Sequence, residues 1–392
     1  MSITAPAGFR AAGVAAGLKA TGARDVAVVV NDGPLATAAV VLTSNRVQAA
    51  PVLWTRQAVS DGAARAVVLN SGGANACTGP EGFADTHHTA EHAAAALVRA
   101  GDDVGAGDVL VCSTGLIGER LPMDLLLRGV DAAVATLSAD GGDDAAHAIM
   151  TTDSVAKQTV VARDGWSVGG MAKGAGMLAP GLATMLCVLT TDAVVDSATA
   201  DAALRAATRV TFDRIDSDGC MSTNDTVTLM ASGASGRKPS PDELTQALTE
   251  ACADLARQLV ADAEGASHDI AVTVTGATDE DAALAVARAV SRSNLFKAAI
   301  FGNDPNWGRI LSAVGTVPED VAPYDPFALD VAINGVQVCQ SGWAGEPREL
   351  VDLASAREVT VVIDLHAGDA SVTLWTNDLT HDYVHENSAY SS

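Results

Sequence analysis

Apolar residues recur along this chain in two rhythms, and the rhythms alternate. Short runs such as DVAVVV (25–30), AAVVLT (38–43) and RAVVLN (65–70) are continuous and rich in valine, which predicts buried strands. The longer stretches ADTHHTAEHAAAALVRA (84–100) and MDLLLRGVDAAVATLSA (123–139) carry the spacing of helices. KQTVVARDG and WSVGGMA (157–172) predict a hairpin, followed by a strand at 184–191, a helix at 197–212 and a strand at 226–232. SGRKPSPDEL (235–244) interrupts the pattern, and 235–242 is the best linker candidate. A helix start follows at once: Ser240 can cap, Pro241 sits in the first turn and Glu243 completes a capping box. Leu244, Leu248, Cys252, Leu255 and Leu259 then line one helical face. A strand at 269–276, a helix at 279–293 and strands near 328–340, 358–364 and 370–375 complete the pattern. Strands and helices mixed throughout predict a layered α/β or α+β architecture.

Composition narrows what such a fold does. Nearly half of the 392 residues are hydrophobic, but only 4% are aromatic, so Ala, Val and Leu must fill the core. Acidic residues outnumber basic ones 48 to 24, a formal charge of −24. That surface repels phosphate backbones and anionic lipid, which argues against nucleic-acid and membrane partners. An anionic small substrate would need positive charge placed by particular residues. The six cysteines show no C-x-x-C spacing, which suits reduced thiols and a cytoplasmic protein. No secretory leader is read at the N-terminus and no apolar run is long enough to span a bilayer.

Three local matches to known chemistry are weak. HTAEH (88–92) places His88 and His92 one helical turn apart, as a zinc site would, but no third ligand is evident. DSDGCMSTND (216–225) has calcium-loop carboxylates, yet its glycine comes too early, so a turn before the next strand is expected. GAG (174–176) lacks the remainder of a dinucleotide fingerprint.

The junction Ala183-Thr184 is different. A Gly- and Pro-bearing stretch, 174–181, runs into a strand whose first residue is a threonine. A threonine hydroxyl is a weak nucleophile unless a base stands beside it, and an N-terminal threonine carries one in its own α-amino group. Cleavage of the 183–184 bond would supply that amine. On these residues alone, a turn leading into a buried strand also accounts for the junction.

The motif KGAGMLAP…ATMLCVLTTDA resembles that of the ornithine acetyltransferases, the ArgJ family of arginine biosynthesis. SNRVQAAPV (44–52), NSGGANACTG (70–79), CSTGLIGERLP (112–122), MTTDS (150–154), STNDTV (222–227), DAEGASHDIAVTVTGA (262–277), FGNDPNWGRI (301–310) and HENSAYSS (385–392) match in family order across essentially the whole chain. The resemblance implies a precursor that cuts itself into an α chain, 1–183, and a β chain, 184–392. It implies an αββα layered core like that of other self-processing N-terminal nucleophile enzymes, with a second, smaller α/β domain. The implied assembly is an α2β2 heterotetramer.

The implied reaction is ping-pong transfer of acetyl from N-acetylornithine to glutamate through an acetyl-Thr184 enzyme, with no metal or organic cofactor. Some members also take acetyl-CoA as donor, and no residue here separates the two kinds. The resemblance makes Thr114 and Gly115 the oxyanion hole. Thr151, Thr152, Lys173, Glu264, Asn387 and Ser392 become substrate contacts together with Thr184. Lys173 suits a substrate carboxylate and Glu264 an ammonium. If 151–152 is extended, its two side chains point opposite ways, and Thr151 is favoured. FGNDPNWGR is expected to shape a turn near the site or between chains. Gly73, where many relatives carry Asn, suggests a looser loop. A self-processing amidohydrolase or aminopeptidase of similar fold is the competing expectation.

Overall fold

The computed structural model describes residues 2–179 and 185–389. Two sheets stacked face to face form its centre. The first contains four strands in the order Phe9–Val14, Val26–Asn31, Ala66–Asn70 and Val109–Ser113, the last pair parallel. The second contains five, in the order Thr37–Leu42, Thr226–Ala231, Leu186–Thr191, Trp166–Lys173 and Lys157–Arg163.

Alternation along each strand makes the layers. Ala27, Val29, Val67, Leu69 and Leu110 of the first sheet pack with Val40, Met171, Leu186, Val188 and Met230 of the second. Their neighbours in sequence, Val26, Val28, Ala66, Val68 and Val109, face away, toward the helices Gly79–Ala100 and Met123–Ala135. Val168, Cys187, Leu189, Val227 and Leu229 face the other way, onto Ser197–Arg209 and Pro241–Ala261. Strands buried on both faces read as continuous apolar runs rather than as alternating ones. The result is the α/β/β/α order.

The helix Pro241–Ala261 begins as its sequence indicates. Ser240 accepts from the Glu243 amide and the Glu243 carboxylate accepts from the Ser240 amide. Its apolar face, Leu244 through Leu259, is fully buried. This helix shares a core with Thr226–Ala231, so the stretch 235–242 connects two elements inside one layered unit.

A second core lies in the smaller unit. Six strands order as Trp343–Ala344, Val336–Gln340, Asp330–Ile333, Glu358–Asp364, Asp269–Ala277 and Ala370–Asn377. They pack against Glu280–Ser291, Asn294–Phe301 and Trp307–Val314. Asn334 and Gly335, both at positive φ, turn the expected 328–340 strand region into a hairpin. FGNDPNWGR belongs to this unit: Asn306 caps Trp307–Val314 by accepting from the Arg309 amide, and Arg309 donates to the Leu295 carbonyl. The DSDG turn is held by Asp216, whose carboxylate meets Arg292 at 2.7 Å, with Gly219 at positive φ. Asn377 joins the two units, donating to the Val260 carbonyl at 3.0 Å.

Candidate active site

Strand Trp166–Lys173 ends beside the start of Leu186–Thr191, with Lys173 opposite Leu186. The end of that strand carries a buried lysine. Lys173 is fully enclosed, and its ammonium donates to Thr151 Oγ1 at 2.6 Å and to Thr114 Oγ1 at 3.5 Å. Among the described residues, the carboxylate paired with it is that of Asp153, 3.8 Å away. Burial lowers the Lys173 pKa, and the attraction of Asp153 opposes that fall.

Asp153 is the anchor of this corner. Its carboxylate accepts from the amides of Thr151 (2.9 Å) and Gly174 (2.6 Å) and pairs with Lys157 at 2.8 Å. Lys157 in turn reaches Asp262 at 2.5 Å, and Asp262 accepts from the Ser154 amide. Burial works against ionisation of Asp153, but Lys173, Lys157 and the hydrogen bonds outweigh it and hold its carboxyl at about 2. The segment 151–157 is thereby pinned to the end of the 166–173 strand.

The parallel strand Val109–Ser113 delivers Thr114 and Gly115. The Thr114 amide is used by the Asn70 carbonyl at 3.0 Å, while its hydroxyl accepts from Lys173 and retains its own proton for donation. Gly115 adopts φ 133°, and a Cβ there would sit 2.8 Å from the backbone of Gly73. Only glycine allows this approach. Gly73 is itself tied down, its amide donating to the Thr114 carbonyl at 3.0 Å.

Glu264 comes from the turn after Pro241–Ala261. Its amide donates to the Ala175 carbonyl at 3.0 Å and its carboxylate accepts from Asn387 Nδ2 at 3.0 Å. Asn387 lies on the helix His381–Ala389, so this helix is folded against the site here. Gly176 lets the carboxylate lie close, since a Cβ would come within 2.6 Å of Glu264 Oε2.

Thr114, Gly115, Thr151, Thr152, Lys173, Glu264 and Asn387 all line one cavity of about 80 Å³, with Gly176 and Met177. Thr151, rather than Thr152, makes the bond to Lys173. Ala183, Thr184 and Ser392 lie outside the described residues. Next in the chain, Met185 donates its amide to the buried Asp225 at 3.1 Å. Burial pushes the Asp225 carboxyl well above its ordinary value. The two histidines of HTAEH lie elsewhere, on Gly79–Ala100, where His92 Nε2 approaches Asp131 at 3.1 Å.

Asp153, Lys157 and Asp225 are the residues that sequence reasoning passed over. MTTDS and STNDTV contain the two acids, and the i, i+4 spacing of Asp153 and Lys157 was the available signal for that pair.

A buried ammonium, orienting hydroxyls and a fixed carboxylate, converging at a strand end of an α/β/β/α core, make this chain an enzyme of small charged metabolites. It belongs to the ArgJ family, whose profile matches residues 10–392. The arginine biosynthesis bifunctional protein ArgJ of Streptomyces coelicolor is 63% identical over the full length of both chains. That of Mycobacterium leprae is 58% identical, covering all of this chain and 96% of the relative. Among solved structures, a chain of the Mycobacterium tuberculosis ornithine acetyltransferase complexed with ornithine is 63% identical; it matches 47% of this chain and 96% of its own length, with a TM-score of 0.45. Among the described residues, no helix is long and apolar enough to cross a membrane.

Proposed function

We propose that this chain cuts itself at Ala183-Thr184 and then transfers acetyl from N2-acetyl-L-ornithine to L-glutamate, as an acyltransferase of arginine biosynthesis. The observation that carries this reading is the meeting of Thr114, Gly115, Thr151, Thr152, Lys173, Glu264 and Asn387 around one cavity, from segments far apart in the chain.

In the first half-reaction the freed α-amine of Thr184 takes the proton of its own hydroxyl, and Oγ attacks the acetyl carbonyl. The tetrahedral oxyanion is met by the Thr114 hydroxyl and the Gly115 amide. The C–N bond breaks, the proton passes to the departing nitrogen, and ornithine leaves an acetyl ester on Thr184. In the second half-reaction the neutral amine of glutamate attacks that ester. Its surplus proton returns through the Thr184 amine to Oγ as the ester bond breaks, giving N-acetylglutamate. An amide and an amine exchange places, so neither ATP nor a metal or organic cofactor is needed. Lys173 holds a substrate carboxylate, Glu264 an ammonium, and Asn387 steadies Glu264. Ser392 closes the same set of contacts.

The α and β chains pair as an α2β2 heterotetramer in the cytoplasm. The names of the relatives include the word bifunctional, and an acetyl-CoA plus glutamate assay tests whether this chain accepts that second donor. Hydrolysis, with water replacing glutamate, is the competing outcome; the amino-acid-binding set favours transfer, and the ratio of free acetate to N-acetylglutamate decides. Thr184→Ala is the central test. The variant should run as one uncut band on a denaturing gel and show no transfer, whereas complete processing would remove Thr184 as nucleophile.

A further inference from the structure

A second cavity, of about 190 Å³, adjoins the first and shares Glu264 with it. Its wall carries Asp218, Arg292, Lys297, Asp378 and Tyr383. Lys297 is the unusual member. It is only 7% exposed, yet its ammonium donates to a single neutral acceptor, the Ser217 carbonyl. Among the described residues no carboxylate oxygen lies within 4.0 Å of it.

The acids around it are engaged elsewhere. Asp216 is taken by Arg292, Asp378 by Ser267 and His268, and Asp218 by the Cys220 amide. Burial lowers the Lys297 pKa, and the attraction of Asp218, Asp216 and Asp378 opposes this without reversing it. A buried ammonium without a counter-charge is costly, and such groups are ordinarily paired or hydrogen-bonded on all sides. Lys297 therefore has donors to spare and faces a space large enough for a carboxylate.

We propose that Lys297 is a specificity residue that receives the side-chain carboxylate of the acyl acceptor, with the second cavity forming the side-chain end of the amino-acid site. This inference rests on the acetyl-transfer reading above. A ping-pong enzyme must accept a donor with a cationic side chain and then an acceptor with an anionic one in the same place. The cavity meets both needs, because its wall carries the carboxylates of Glu264 and Asp218 as well as the cations of Lys297 and Arg292. When glutamate is bound, its γ-carboxylate supplies the missing partner of Lys297. When N-acetylornithine is bound, its δ-ammonium turns to the acids.

The test compares glutamate and glutamine as acceptors at saturating N-acetylornithine, in the processed enzyme. Lys297→Gln keeps a donor for Ser217 and removes the charge; Lys297→Met removes both. In either variant the ratio of kcat/KM for glutamate over glutamine should fall roughly 10- to 100-fold, because a group built to meet a charged substrate atom loses it. The first half-reaction, read as exchange of labelled ornithine into N-acetylornithine, should not fall below the parent, as it uses no acceptor carboxylate and loses a charge that repels the δ-ammonium. Because the ammonium lacks a counter-charge in the free enzyme, the Met variant should melt no lower than the parent. An unchanged acceptor ratio, or exchange and transfer falling together, overturns the role of Lys297 alone. A parent enzyme that transfers no acetyl to glutamate overturns the acetyl-transfer reading as well.

Discussion

Replacing Asp153 by Asn tests whether the corner that holds Lys173 depends on a charge. Asp153 is wholly buried as a side chain, and its carboxyl is held at about 2 against an ordinary value of 3.8. At about 1.4 kcal/mol per tenfold change, that drop contributes on the order of 2 kcal/mol to stability at neutral pH. Asn also presents an amide hydrogen where the second oxygen accepted, so one of the Thr151 and Gly174 amides loses its partner, for about 1 kcal/mol more. Lys157 keeps Asp262, so the full penalty of stranding a buried ammonium does not apply. The expected cost at pH 7 is about 3 kcal/mol.

The sign with pH follows from the depressed value. The charge-dependent part is present in full above 3.8 and is lost as pH falls toward 2, leaving about half of it at pH 3. Urea unfolding followed by circular dichroism at pH 7, 5 and 3 reads this difference, using Thr184→Ala as the parent so that one chain unfolds. The gap between Asp153 and Asn should be equal at pH 7 and 5 and clearly narrower at pH 3. A gap that does not narrow, or one below about 1 kcal/mol at pH 7, would refute the charge argument.

Three further substitutions probe other parts of the site and its scaffold. Gly115→Ala forces a side chain against the Gly73 backbone at positive φ; it should slow both self-cleavage and transfer roughly 10²- to 10³-fold, and normal gel processing with normal kcat would dismiss the oxyanion role. Gly176→Ala pushes on the Glu264 carboxylate and its bond from Asn387; kcat/KM for N-acetylornithine should drop at least about tenfold, and unchanged steady-state kinetics would mean that Glu264 does not touch substrate. Ser240→Ala removes the cap of Pro241–Ala261; it should lower stability by about 1 kcal/mol with full activity, and any larger loss in a thermal melt contradicts a capping role.

The sequence disclosed most where one short stretch contains the whole signal. The hairpin 157–173 and the capped helix at 241 are of this kind, because strand rhythm and cap chemistry are local. Phe9–Val14 was not legible: FRAAGV is alanine-rich, and only its pairing with Val26–Asn31 makes it a strand. Glu264 and Lys173 could be named from motifs, but their shared cavity depends on how the two sheets and the second unit meet. The burial of Asp153, Asp225 and Lys297 was not legible for a related reason. Nothing in a neighbouring residue tells whether an ionisable side chain is enclosed, and enclosure is what gives these three their character.

The register between Trp166–Lys173 and Leu186–Thr191 has a bearing on the life of the protein after synthesis. Six residue pairs, from Val168 with Thr191 to Lys173 with Leu186, bind the strand before the proposed cut to the strand after it. Cutting between 183 and 184 would therefore release nothing, because the strands before and after the cut are paired in one sheet. It would change the way back instead. An intact precursor refolds by closing a short connection within one molecule, at a rate independent of dilution. The severed pair must first find each other, so recovery from urea should become concentration-dependent once the bond is gone. The covalent link would then matter for one folding event only, and the mature enzyme would survive by never opening.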